Sequence, residues 1–274
     1  MIEFDINKKV KLNNNTEIPV IGFGTWQIPN DIAQTAVKDA IDTGYTHIDT
    51  AAVYKNEEGV GNGIKLSNIK RDNLFITTKI DGNVKTYKGA KKSIEDSLKK
   101  LGVDYIDLVL IHCPQPWLLY SLGFKGFKKA NINVYRAMEE AYEEGKIKSL
   151  GVSNFRISDL KNILDNCHIK PQVNQIQWAI DYKDEDLRDY CHKNDIIVEG
   201  FSPLGTGKLL KNKTIIEMAK KYNVNPANLC LKYALKEVDV VIFKTIHKEY
   251  MEINKNLNFD ISSSDYEILK QISK

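Results

Sequence analysis

The sequence predicts an α/β fold: one domain, residues 1–274, built as a closed (β/α)8 barrel of parallel strands with an added N-terminal hairpin. Three observations predict it. Short apolar runs alternate with helical stripes about eight times between residues 20 and 255, the rhythm of parallel strands joined by right-handed crossovers. A length of 274 residues suits one barrel as well as two small domains, and no low-complexity linker divides the chain. The doubly wound open sheet, the main alternative, lacks its dinucleotide fingerprint. Gly59-x-Gly61-x-Gly63 falls inside a helical stretch and has the wrong spacing, and Gly207-Lys208 is followed by Leu209, so no P-loop is present either.

The elements follow in order. Lys9-Val10-Lys11-Leu12, then Asn13-Asn14-Asn15, then Thr16-Glu17-Ile18 reads as strand, polar turn and strand, with Pro19 ending the second arm. Strands are predicted at Val20–Phe23, His47–Ile48, Leu74–Ile76, Ile106–Ile111, Ser149–Val152, Gln172–Gln175, Ile196–Val198 and Val240–Phe243, most of them rich in β-branched residues. Ile94, Leu98 and Leu101 mark a helix within 88–101. Val134, Met138 and Ala141 mark another, which Gly145 stops. Ile215, Met218, Ala219 and Tyr222 form a third stripe, and Pro226 starts the next helix.

Composition narrows the function. A hydrophobic share of 42% with 27% charged residues describes a globular protein, not a disordered or fibrous one. No apolar run reaches the roughly 18 residues of a membrane span, and the charged start MIEFDINKKVKL is unlike a signal peptide. A cytoplasmic location is expected. Thirty-nine basic against 36 acidic residues leave +3, too little to argue for a nucleic-acid partner. Cys167-His168 and Cys191-His192 lack zinc-site spacing, so no metal is expected.

In a closed βα barrel the chemistry sits at the carboxyl ends of the strands. Three successive strands here run into an ionisable residue: Asp49, Lys79 and His112, with Tyr54 in the loop after Asp49. Neighbouring strand ends lie about 5 Å apart, so the four converge on one small area. Each alone has an ordinary structural explanation: a turn aspartate, a solvated lysine, a satisfied histidine, a packed tyrosine. Four on one face do not. A phenol has a pKa near about 10, and lowering it by two units takes roughly 2.7 kcal/mol, within reach of a close ammonium. An Asp49–Lys79 pair would hold that ammonium charged. The assembly is a proton donor suited to a developing alkoxide.

These residues lie in segments that resemble the aldo-keto reductases. Gly44-Tyr-Thr-His-Ile-Asp-Thr-Ala-Ala-Val-Tyr-Lys-Asn-Glu57 resembles the family's first signature, and Leu74-Phe-Ile-Thr-Thr-Lys79 its lysine segment. Ser97 to His112 and Gly145 to Phe155 resemble two more, and the likeness runs from about residue 8 to 262. The resemblance implies a TIM barrel whose hairpin caps the bottom, and reduction of a small-molecule aldehyde or ketone with a nicotinamide cofactor, usually NADPH, without metal. It implies Tyr54 as proton donor, Lys79 and Asp49 as its tuning pair, and His112 as the group that orients the carbonyl. A monomer is the common state of the family.

The resemblance also assigns cofactor positions. Ser153, Asn154 and Gln175 match the residues that bind the nicotinamide carboxamide, and Phe201 the aromatic that stacks on the ring. Ser202 and Leu204 match the pyrophosphate-side loop. Near the adenosine the chain departs from the pattern. Lys244, Thr245 and Asn254 match, but Tyr250 replaces an Arg beside the 2′-phosphate and Ile253 replaces an acid, so NADH competes with NADPH as the expected cofactor. Lys248 is a nearby substitute cation. At the substrate mouth Trp26 matches a pocket aromatic, Cys113 stands where many relatives have Trp, and Trp117 begins an apolar loop. Gln177-Trp178-Ala179-Ile180 replaces Glu-x-His-Pro.

Two other functions fit the same fold. One is a non-catalytic, nucleotide-sensing regulator, against which the intact Asp49, Tyr54, Lys79 and His112 set argues. The other is a different barrel enzyme, disfavoured because no Glu base or ligand cluster appears at the strand ends.

Overall fold

The computed structural model describes residues 4–124 and 126–272. Strands β1 (Lys9–Lys11) and β2 (Glu17–Pro19) pair antiparallel, with Lys9 opposite Pro19. The barrel strands are β3 (Ile21–Gly24), β4 (His47–Asp49), β5 (Phe75–Ile80), β6 (Leu108–Ile111), β7 (Leu150–Ser153), β8 (Val173–Gln177), β9 (Ile197–Phe201) and β10 (Val240–Phe243). They pair in parallel, each with the next, and β10 closes on β3. Each predicted strand is there, most within a residue or two of the expected ends; β5 and β9 run on four and three residues further, to Ile80 and Phe201.

Helices follow the strands: α1 (Asn30–Thr43), α2 (Glu57–Ser67), α3 (Tyr87–Leu101), α4 (Trp117–Ser121) with α5 (Lys128–Glu143), α6 (Ile157–Asn166), α7 (Glu185–Lys193), α8 (Lys213–Lys221) with α9 (Pro226–Glu237), α10 (Lys248–Asn254) and α11 (Ser263–Lys270). Their ends carry recognisable caps. Thr86 accepts from the Gly89 N–H before α3, and Asn225 caps α9 with Pro226 in its first turn. Gly145, just past α5, takes the left-handed φ of 76° that ends it. The apolar stretch after β6, expected as a loop, folds at Trp117–Ser121 into the short helix α4.

The hairpin closes one end. Leu12 and Ile18 are buried against Phe75, Leu108, Val173 and Val240, residues that open their strands. Asn13 donates to the Pro171 and Asp195 carbonyls at 3.0 and 2.9 Å, just before β8 and β9. The strand starts are therefore stoppered, and the functional face lies at the other rim.

Helix α2 packs against α1 through glycine. A Cβ at Gly59 would lie 2.1 Å from the Asn30 carbonyl oxygen, and one at Gly63 2.6 Å from that of Gln34. The glycine series that the sequence shows between 59 and 63 thus serves close helix packing.

Candidate active site

Asp49 ends β4, and the chain then makes a 3-10 turn, Ala52–Tyr54, before Lys55 adopts a left-handed φ of 57°. Buried Asn56 clamps this turn. Its amide donates to the Thr25 and Ile28 carbonyls and its Oδ1 accepts from the Thr50 hydroxyl, each at 2.9 Å. Tyr54 is thereby fastened to the loop after β3.

Lys79 lies in β5, all six residues of which are buried. Its Nζ donates to both oxygens of Asp49 at 2.6 Å and to the Thr50 carbonyl at 2.9 Å. The same Nζ sits 5.3 Å from the centre of the Tyr54 ring. Burial by itself would strip the ammonium of its proton, but Asp49, with Tyr54 and Glu199, outweighs it and holds the pKa above its ordinary 10.5. For Tyr54 burial is again the largest effect, and it raises the phenol above its ordinary 10.0; the Lys79 charge opposes the rise and Asp49 adds to it. The sequence led us to expect a phenol made more acidic by its lysine. Desolvation wins over that attraction, so the hydroxyl keeps its proton through the neutral range.

His112 follows β6, its N–H bound to the Ile80 carbonyl at 3.0 Å. Burial first, and the Lys79 charge second, drive its pKa well below 6.5, so the imidazole is neutral. Its Nδ1 has no hydrogen-bond partner among the described residues. The ring meets Tyr54 edge-on at 5.5 Å and Trp117 at 5.2 Å. The four residues expected to converge lie together at one rim.

The carboxamide-binding candidates join the same network. Gln175 Nε2 donates to Asp49 Oδ2 at 2.8 Å. The Ser153 hydroxyl donates to the Gln175 carbonyl at 2.9 Å. Asn154, with a left-handed φ of 60°, donates to the His112 carbonyl and to Ser153 Oγ, both at 3.0 Å. Phe201 ends β9 half-buried, with Ser202 (φ 56°) and half-buried Leu204 after it. At the end of β10, Lys244 is exposed and Thr245 buried. Beyond them Tyr250 is 51% exposed and meets the His247 ring in a T-shaped contact at 5.3 Å, Asn254 is buried, and Lys248 lies 3.6 Å from Asp39. Trp26 and Trp117, 46% and 38% exposed, stand at the mouth, whereas Cys113 is fully buried beside Gly82.

Sequence reasoning missed two groups in the barrel interior. His47 and Glu199 are both fully buried, with His47 Nε2 2.9 Å from Thr77 Oγ1 and 3.9 Å from Glu199 Oε1. Burial and the Lys79 charge push His47 down to about 3. Burial and the charge of Asp49, against the pull of Lys79, push Glu199 up to about 8. The signal was there: a charged residue inside a strand covered on both faces can only point into the barrel or the helix layer.

Fold and site together define an oxidoreductase of carbonyl compounds. A sequence model of the Aldo/keto reductase family matches residues 20–274. The chain is 39% identical over 267 residues to glyoxal reductase of Bacillus subtilis, covering 97% of this chain and 92% of that protein. It is 34% identical over 290 residues to glycerol 2-dehydrogenase (NADP(+)) of Saccharomyces cerevisiae, covering 98% and 92%. The crystal structure of an aldo/keto reductase from Brucella melitensis superposes with a TM-score of 0.89 at 38% identity, covering 97% of this chain and 99% of that one. The chain belongs to the aldo/keto reductase family, whose members use nicotinamide cofactors on small-molecule carbonyl substrates. Among the described residues no helix is long and apolar enough to cross a membrane.

Proposed function

We propose that this protein reduces an aldehyde or ketone to an alcohol with NADPH, Tyr54 being the proton donor, and that it works as a cytoplasmic monomer. The observation that carries the catalytic assignment is the Lys79 ammonium, clasped by Asp49 at 2.6 Å and facing the Tyr54 ring. When bound, the cofactor supplies hydride to the carbonyl carbon. The neutral His112 ring hydrogen-bonds the substrate oxygen and orients it. As negative charge develops there, Tyr54 gives up its proton, and Lys79 stabilises the phenolate left behind.

The residues present fit a nicotinamide dinucleotide. With Gln175 Nε2 committed to Asp49 and the Asn154 amide nitrogen to His112, Gln175 Oε1 and Asn154 Oδ1 remain to accept from a carboxamide. Phe201 offers a ring face. Ser202 and Leu204 border the pyrophosphate path, and Asn254 and exposed Tyr250 the adenine. Lys244, Lys248 and the Thr245 hydroxyl suit a 2′-phosphate, which favours NADPH. The missing guanidinium at position 250 keeps NADH as competitor. Trp26 and Trp117 shape a mouth for an apolar carbonyl compound, with Cys113 fully buried beside Gly82. Following nicotinamide absorbance across aldehydes and ketones with each cofactor tests the reading; no turnover with either would refute it.

A further inference from the structure

Beneath the Lys79–Asp49 pair the barrel holds a second carboxyl group. Register places Glu199 of β9 beside Gln175 of β8 and Val240 of β10. It is fully buried, and neither carboxyl oxygen has a hydrogen-bond partner among the described residues. Gln175 thus links the two acids: its side chain donates to Asp49 and its backbone lies in register with Glu199. The titratable groups facing Glu199 are His47 and Asp49 from β4 and Lys79 from β5. The flanking strands β8 and β10 carry none.

A carboxylate buried this deeply beside the negative charge of Asp49 is costly, and keeping its proton is the cheapest relief. With that proton in place, the charges of Lys79 and Asp49 cancel and the cluster under Tyr54 is neutral. Without it the cluster carries one net negative charge. Tyr54 becomes an anion when it gives up its proton, so a negative cluster opposes the transfer. It also draws the Gln175 amide away from Asp49, which loosens the clasp on Lys79.

We propose that Glu199 is a positioning residue of the reductase site, whose proton keeps the Asp49–Lys79–Gln175 cluster neutral and whose ionisation disables proton donation by Tyr54. The inference rests on the reading of Tyr54 as donor. It gives a role to an acid of a barrel-core strand that has His47 Nε2 3.9 Å away and no hydrogen bond to its carboxyl oxygens among the described residues.

The test is kcat for aldehyde reduction against pH in the parent, in Glu199→Gln and in Lys85→Arg. Lys85 is the necessary control: its Nζ donates to the Cys113 carbonyl at 3.0 Å, and burial lowers its pKa to about 8. Tyr54 and Lys79 are raised and both buried histidines lowered, so none of these four titrates in this range. The parent is expected to fall about tenfold between pH 7 and 9, and Glu199→Gln to stay within about twofold over the same span. Lys85→Arg, which keeps its charge, should retain the parent's fall. The inference is overturned if Glu199→Gln keeps the alkaline fall, if it loses activity evenly at every pH, or if Lys85→Arg abolishes the fall. Infrared titration of parent protein labelled at its glutamates covers a glutamine variant that does not fold. A protonated carboxyl band at pH 6 that fades by pH 10 supports the inference, and its absence at pH 6 defeats it. A parent inactive with both cofactors sinks the Tyr54 reading instead, while the infrared titration still decides whether Glu199 holds a proton.

Discussion

Lys79 reaches backwards to meet Asp49. Strand register sets Asp49 beside Thr77, two residues before the lysine, yet Nζ lies 2.6 Å from both carboxylate oxygens. The lysine arm therefore lies along the barrel interior, and both charges leave water together. Such a pair adds little net stability, but either half alone is a buried, uncompensated charge.

Lys79→Met should accordingly destabilise the fold by about 3–5 kcal/mol in urea denaturation, in addition to losing reductase activity. Combining it with Asp49→Asn should cost clearly less than the two single losses added together. Strict additivity would mean that the two charges do not depend on one another.

Tyr54→Phe removes the hydroxyl and keeps the ring that packs on His112. Its kcat for aldehyde reduction is expected to drop by about 100-fold or more, with cofactor Kd changed by less than about twofold. Tryptophan fluorescence measures the binding. Near-parental turnover would rule out the phenol as proton donor.

Acid should weaken the protein partly through His47. Its folded pKa is depressed to about 3 from an ordinary 6.5, so between those values the unfolded chain binds a proton that the fold refuses. Stability thus falls as pH drops through this window. In His47→Gln, which retains a donor toward Thr77, the unfolding free energy should fall less steeply from pH 6.5 to 4. An unchanged slope would place the acid sensitivity elsewhere.

At the adenosine end, Tyr250→Arg should tighten NADPH binding roughly tenfold, the worth of one added charge-assisted hydrogen bond, and leave NADH within about twofold. Equal gains for both cofactors would show that position 250 does not face the 2′-phosphate.

The clustering of Asp49, Tyr54, Lys79 and His112, the candidate catalytic set, was legible because Asp49, Lys79 and His112 each stand at the carboxyl end of a strand, where it meets its loop. The barrel was legible from the same rhythm. Glu199 was not, because the strand expected at Ile196–Val198 stops one residue short of it, whereas β9 runs on to Phe201. Only closure of the sheet, which buries both faces, turns that acid inward. Nor could spacing show that burial would outweigh Lys79 in setting the Tyr54 proton affinity, since desolvation depends on everything packed around the ring. Helix α4 escaped notice because five residues are too few to display a period.

The glycine contacts of α2 carry an implication for variation on the protein's outer layer. Only Lys55 and Asn56 separate Tyr54 from that helix, and Gly59 and Gly63 let it rest directly on α1. A single methyl group added at Gly59 would force the two helices apart and drag the phenol with them. Damage to turnover can therefore originate in the helical shell, at a position that a survey of pocket-lining residues would pass as harmless.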